Sequence, residues 1–209
     1  MAQTRETNVL KRALQLAEHA RALPEATFTE DHAKSHEHMG ATITEAVLQA
    51  GLGYEAVVRP RVARLLSTYP EAATTTGFLE VLQRIHLARF LRFSGYKPKV
   101  IRTIAELLAG AGVETEPALA EWLQSSDHRV ALKGIHGVGD TTIDYLKALC
   151  GLSTAAIDVH LLRFLREAGV HVTGYNDAQR VVHEAADLLK IDRGAFDRGI
   201  WKYMTARSR

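Results

Sequence analysis

Three glycines, Gly134, Gly137 and Gly139, stand close together between two stretches whose apolar residues recur at helical spacing, and nowhere else do three glycines fall so close. Glycine reaches positive φ and lets another group approach the backbone closely, so Leu132-Lys-Gly-Ile-His-Gly-Val-Gly139 predicts a tight turn rather than a continued helix. After it, the polar trio Asp140, Thr141 and Thr142 leads into Ile143, Leu146, Leu149 and Cys150, with Gly151 as a stop. That pattern predicts a second helix starting at the turn. The first N–H groups of such a helix have no partner within it and point back at the glycines. The arrangement suits an anion such as phosphate, and it suits equally an ordinary turn between packed helices.

The rest of the chain has the same helical rhythm. Val9, Leu10, Ala13, Leu14, Ala17 and Ala20 predict an amphipathic helix over Arg5 to Leu23, ended by Pro24. From Ala41, Ile43, Val47 and Leu48 predict one short helix, and beyond Gly51, Gly53 and Pro60, Val62, Leu65 and Leu66 predict another. Phe78 to Phe93 reads as a single run broken by Ser94-Gly95-Tyr96-Lys97-Pro98, and Lys99 to Gly110 resumes it. Pro117 suits a first helical position before Leu119, Trp122 and Leu123, and Ser125, Ser126 and Asp127 offer caps for the helix that enters the turn. Leu161 to Ala168, Ala178 to Leu189 and Gly194 to Met204 predict three more helices. Alternation of the strand kind is confined to Val170-His-Val172, so the class is all-α. With 209 residues, 46% of them apolar, such a chain buries a substantial core as one domain or two lobes.

Composition removes several functions. One cysteine, Cys150, rules out a disulfide framework and a four-cysteine zinc or iron–sulfur site, and its place on an apolar face predicts a buried thiol. Met1 to Leu10 is polar, and no apolar run reaches the roughly 18 residues of a membrane span, so a soluble, intracellular, cytoplasmic chain is expected. His32, His36 and His38 are spaced so that two could share a helical face as a zinc site needs, but no cysteine accompanies them and the segment reads better as a connection. The net charge of +2 says little, whereas its distribution says more. No acidic residue falls between Glu80 and Glu106, while Arg84, Arg89, Arg92, Lys97, Lys99 and Arg102 do; the tail adds Lys190, Arg193, Arg198, Lys202, Arg207 and Arg209. Two such patches fit nucleic acid, and each alone also fits a solvated face.

Asp158, in Ile157-Asp-Val-His160, stands directly before an apolar-periodic run, where its carboxylate would accept from free N–H groups as an N-cap. A negative charge held there could also stabilise a cationic transition state. Taken together, Ile135-His-Gly-Val-Gly139 and Ile157-Asp-Val-His160 resemble the paired signature of the helix-hairpin-helix (HhH-GPD) DNA glycosylase superfamily, which includes endonuclease III and the oxoguanine and alkylpurine glycosylases. That signature is a Leu-Pro-Gly-Val-Gly type hairpin followed by an Asp in a Val-Asp-x-His context; here His136 replaces the proline. A weaker likeness links Gly95-Tyr-Lys-Pro-Lys99 to the family's Tyr-x-x-Lys turn.

The resemblance implies a two-lobed helical fold. A six-helix lobe would cover 41–151, with its helix-hairpin-helix at about 127–150, and a second lobe would combine 1–40 with 152–209, Asp158 lying in the cleft between them. It implies cleavage of the N-glycosidic bond of a base flipped from duplex DNA, with Asp158 stabilising the oxocarbenium-like sugar or activating water. Gly137, Val138, Gly139, Thr141, Thr142, Lys99 and His160 would contact DNA. The carbonyls of Lys133, Ile135 and Val138 would suit a monovalent cation, the only cofactor implied. Phe93, Tyr96, Trp122, Trp201 and Tyr203 are candidate pocket aromatics, with Phe93 or Tyr96 a candidate wedge, although each fits a core better. Lyase members carry a lysine where this chain has Thr141, and endonuclease III carries an iron–sulfur motif this chain lacks. The expected protein is therefore a monofunctional base-excision glycosylase for an alkylated or, second, an oxidised purine, acting as a monomer without membrane contact. The alternative is a non-catalytic helix-hairpin-helix binder of DNA structure.

Overall fold

In the computed structural model the described residues are 2–28 and 35–207. Among them the secondary structure is helical throughout, without a strand, and Val170 to Val172 lie in irregular backbone. No helix is long and apolar enough to cross a membrane. The chain divides into two compact units, Met1–Ala33 with Ser153–Arg209, and Lys34–Leu152.

The unit Lys34–Leu152 is built around α2 (Met39–Gln49), in which every residue from Met39 to Leu48 is buried. A helix buried on all sides needs partners all round. They come from α3 (Arg59–Thr68), α4 (Thr75–Arg84), α6 (Lys97–Gly110) and α9 (Asp140–Leu149). The remaining helices of the unit are α5 (Leu87–Phe90), α7 (Glu116–Trp122) and α8 (Ser126–Lys133), which makes eight where the resemblance implied six.

The unit begins upstream of residue 41 because buried Glu116 of α7 ties down the segment before α2. Its carboxylate accepts from the Ser35 and Thr42 hydroxyls and from the Glu37 and His38 N–H groups. His38 caps α2: its Nδ1 accepts the Ala41 N–H at 3.0 Å while Nε2–H donates to the Tyr69 carbonyl at 2.9 Å. His36 pairs with Glu45 at 2.9 Å; burial opposes its charged form, but the Glu45 bond and the Glu45 and Glu116 charges outweigh that and raise its pKa. Both histidines are thus committed to capping and pairing, and His32 lies outside the described residues. No group of three metal-ligating side chains occurs among the described residues.

The run from Phe78 to Phe93 is two helices. Ile85 is extended, and His86 then caps α5 through Nδ1, accepting from the Arg89 N–H. Apolar periodicity continues across this break, so spacing alone hides it. Arg61 and Arg64 of α3 cover the exposed end of α5 by donating to the Leu91 and Phe90 carbonyls at 2.7 and 2.9 Å.

In the other unit, α1 (Ala2–Arg21) lies along α11 (Tyr175–Leu189), and α10 (Val159–Glu167) packs on α12 (Arg193–Ala206). Ala13, Ala17 and Ala20 share a core with Ala178, Ala185 and Ala186, alongside Leu16, Phe164, Val181 and Phe196. A fork from Arg12 to Asp177, at 2.7 and 2.8 Å, ties α1 to the first turn of α11.

Candidate functional site

Two places carry the residues singled out in the sequence, one in each unit. The first is the turn joining α8 to α9. Ser125 caps α8 by accepting the Asp127 N–H at 3.3 Å. Gly134 ends α8 in ordinary right-handed geometry, so positive φ falls on Gly137 alone of the three glycines, at +92°. The Val138 N–H closes the turn onto the Ile135 carbonyl at 3.0 Å. The close approach allowed by Gly137 is made within the chain: a Cβ there would stand 2.6 Å from a Tyr96 ring carbon and 3.2 Å from Val100. Tyr96 also meets the His136 ring edge-on at 6.3 Å.

Gly139 is different. It caps α9 in extended conformation without a side-chain bond, and a Cβ placed on it would meet nothing within 4 Å. Among the described residues the N–H groups of Gly137 and Gly139 donate to no other group, and both glycines are exposed. Two donors on exposed backbone are open to water or to an anion.

The side chains around the turn divide sharply. Thr142 is 3% exposed and belongs to the core, which removes its side chain from the DNA-contacting set; Thr141 is half-buried. Val138 is buried as well and offers only its backbone. Arg129 and Lys133 of α8 donate to Asp140 at 2.5 and 3.1 Å. Burial opposes the charge on Asp140, but the bonds from Lys133 and Arg129 prevail and hold its carboxyl below the usual range. Of the carbonyls proposed for a monovalent cation, that of Ile135 already accepts the Val138 N–H, so a cation there would use its second lone pair.

The basic run upstream is smaller as a surface than as a sequence. Arg84 pairs with Glu71 at 2.8 Å, and Arg102 donates to the Leu82 carbonyl at 2.6 Å. Lys97 is buried, its ammonium donating to the Val47 and Ala50 carbonyls at the end of α2, and burial pushes its pKa down. Arg89, Arg92 and Lys99 remain exposed. In the tail, Arg193 pairs with Asp187 and Arg207 with Glu167, while Arg209 lies outside the described residues. Cys150 is half-buried, and burial together with the Glu116 charge pushes its thiol up to about 12, which leaves it inert at neutral pH.

The second place is Asp158. It is the N-cap of α10, with Oδ1 accepting the His160 and Leu161 N–H groups at 2.9 and 3.0 Å. The irregular segment leading to it is held residue by residue. The Ala155 N–H donates to His183 Nε2 at 3.1 Å, the Ala156 N–H to Asp197 at 2.9 Å, and the Ile157 N–H to the Tyr175 hydroxyl at 3.2 Å. Gln179 donates to the Ala155 carbonyl at 3.0 Å, and the Ser153 hydroxyl donates to Asp192 at 2.6 Å.

Sequence reasoning missed these bracing residues. Their trace was Tyr175, Gln179 and His183 at four-residue intervals, a polar stripe along one face of α11.

The candidate aromatics separate between the units. Trp201 meets the His160 ring edge-on at 6.5 Å, and His160 Nδ1 is buried without a hydrogen-bond partner among the described residues. Trp122 stacks on His128 at 4.1 Å, Phe93 is half-buried, and Tyr203 meets Phe164 edge-on at 6.3 Å. A shallow open depression lined by Asn8, Lys11, Arg12, Gln15, Gly169 and His171 lies at the far end of α10 from Asp158, about 13 Å along the helix at ~1.5 Å per residue. It contains none of the residues singled out for chemistry.

Comparison with the curated proteins and with the solved structures gives no match. A family model does match, over residues 14–205 and so across both units, and the chain accordingly belongs to the family described as Domain of unknown function (DUF8548).

Proposed function

We propose that the chain is a monofunctional DNA glycosylase of the helix-hairpin-helix kind, hydrolysing the N-glycosidic bond of a flipped, damaged base. The observation that carries the reading is the bracing of Asp158. Three consecutive backbone N–H groups before it are anchored by side chains of α11 and α12, and its own Oδ1 is fixed by two more N–H groups. A carboxylate so oriented needs no reorganisation when positive charge develops on a sugar, which is where fixed electrostatics lowers a barrier. The turn before α9 supports the reading with two unused N–H groups on exposed backbone, the geometry suited to a DNA phosphate.

Thr141 offers no amine, so the reaction stops at base release without strand scission. Trp201, against the ring of His160 two residues beyond the Asp158 cap, favours an alkylated, cationic purine as first substrate. The test is a panel of duplexes bearing alkylated, oxidised and deaminated bases, scored for strand cleavage with and without alkali. Cleavage only after alkali is the expected result for one base class. Release of no base from any duplex would leave the competing reading, a non-catalytic binder in which Asp158 is only a helix cap.

A further inference from the structure

Beyond Asp158, the outward side of α10 carries a stripe unlike a solvated helix face. Val159, Leu162, Arg163 and Arg166 are all exposed, Val159 at 55% and Leu162 at 40%, while Leu161, Phe164 and Leu165 enter the core. Positions i, i+3, i+4 and i+7 share one side of a helix, so the four form one strip. Neither arginine has an acidic partner among the described residues. Glu167, which stands at i+4 from Arg163 and would ordinarily pair with it, is taken by Arg207 at 3.0 Å, whose guanidinium also lies over the Tyr203 ring at 5.1 Å. The strip therefore carries two uncompensated positive charges and two exposed aliphatic side chains, and it starts at the residue after Asp158.

We infer that this strip is a second nucleic-acid contact, along which a DNA strand runs from Asp158 with its sugar edges on Val159 and Leu162 and successive phosphates on Arg163 and Arg166. Charge complementarity selects the occupant: an aliphatic face alone would suit a protein, whereas paired cations beside aliphatic groups match a backbone that alternates anionic phosphates with apolar sugar edges. As i and i+3 neighbours the two arginines have Cβ atoms about 5–6 Å apart, and their long side chains can reach adjacent phosphates of one strand. The inference rests on the reading of the chain as a DNA-acting protein.

The full chain should be titrated with a fluorescent duplex carrying a tetrahydrofuran abasic-site analogue across a series of KCl concentrations. Arg163→Ala/Arg166→Ala should weaken binding on the order of tenfold at low salt and reduce the slope of log affinity against log salt by nearly 2, since each lost phosphate contact removes ~0.9. A charge-matched control on α1 and α11, Lys11→Ala/Arg180→Ala, both exposed and outside the two basic runs, should keep the wild-type slope. Leu162→Ser should weaken binding a few-fold without changing the slope; thermal melting should be unchanged for the two double variants, whose side chains are exposed, and slightly lowered for Leu162→Ser, which is 40% exposed in mid-helix. A steep wild-type slope that survives in the double arginine variant overturns the strip as a contact and leaves the DNA reading standing. Equal loss of slope in the strip and control variants also overturns it, showing only long-range charge. A wild-type chain without salt-dependent binding overturns both.

Discussion

The turn before α9 and the segment before Asp158 are both irregular backbone leading into a helix N-terminus, yet they treat their N–H groups in opposite ways. At the turn, Gly137 and Gly139 leave theirs undonated on exposed backbone. Before Asp158, the N–H groups of Ala155, Ala156 and Ile157 are each received by a side chain from α11 or α12. Unsatisfied groups are kept where water or a ligand reaches them, and groups withdrawn from water are paired. The turn thus leaves two donors open to water or a ligand, whereas the donors of the Asp158 segment are tied to side chains.

The largest effect should follow from removing charge while leaving that brace intact. Asparagine caps a helix about as well as aspartate, so Asp158→Asn should melt within ~0.5 kcal/mol of wild type. Base release should nonetheless fall on the order of 100-fold, the scale seen when one fixed electrostatic group is lost. Single-turnover kinetics and thermal melting separate the two. Retained activity would make the brace a matter of folding alone.

A next smaller effect distinguishes the glycines. Alanine at Gly137 meets both a φ of +92° and the Tyr96 ring, so Gly137→Ala should destabilise the fold by about 2 kcal/mol. At Gly139, φ is −110° and the space is open, so Gly139→Ala should cost well under half of that while hindering a phosphate. Melting curves beside DNA affinity for both variants decide which glycine serves folding and which serves binding. Equal losses of stability would erase the distinction.

That pair also shows where sequence reading succeeds and where it stops. Glycine clustering announced a turn, and Asp158 before an apolar run announced a cap, because both signals are local in the chain. Which glycine would be open was not legible, since it depends on Tyr96, which packs on Gly137 from far upstream. The basic run shrank for the same reason: Lys97 is spent on the carbonyls of Val47 and Ala50, partners nothing near it in sequence suggests. The twelve α-helices among the described residues were largely foreseeable from periodicity, but the break at Ile85 and His86 lacked a glycine or proline to mark it.

The brace itself can be loosened one bond at a time. His183→Ala leaves the Ala155 N–H withdrawn from water with no acceptor, which should cost ~1–3 kcal/mol. Tyr175→Phe removes only the hydroxyl that receives the Ile157 N–H, at a cost nearer ~1 kcal/mol. Both should slow base release by more than their loss of stability accounts for, if the segment positions Asp158. Assays run well below each variant's melting temperature test this, and unchanged rates would reduce α11 to a scaffold.

The smallest effect lies one layer further out, in the Arg12 fork that holds α11 against α1. The Arg12 hydrogen bond, joined by those from Thr173 and by the Arg12 charge, outweighs burial and holds the Asp177 carboxyl at about 2 against an ordinary 3.8. A carboxyl lowered on folding stabilises above its unfolded value and loses that contribution as pH falls through the folded one. The fork should therefore hold at full strength above pH 3.8 and be lost between there and about pH 2. Arg12→Ala should flatten this part of the acid-unfolding profile while lowering neutral-pH stability only modestly, because a fork at the rim of a helix pair is partly solvated. An acid profile unchanged by the substitution would mean that the alanine-lined contact of α1 with α11 holds the bracing helix without help from the ion pair.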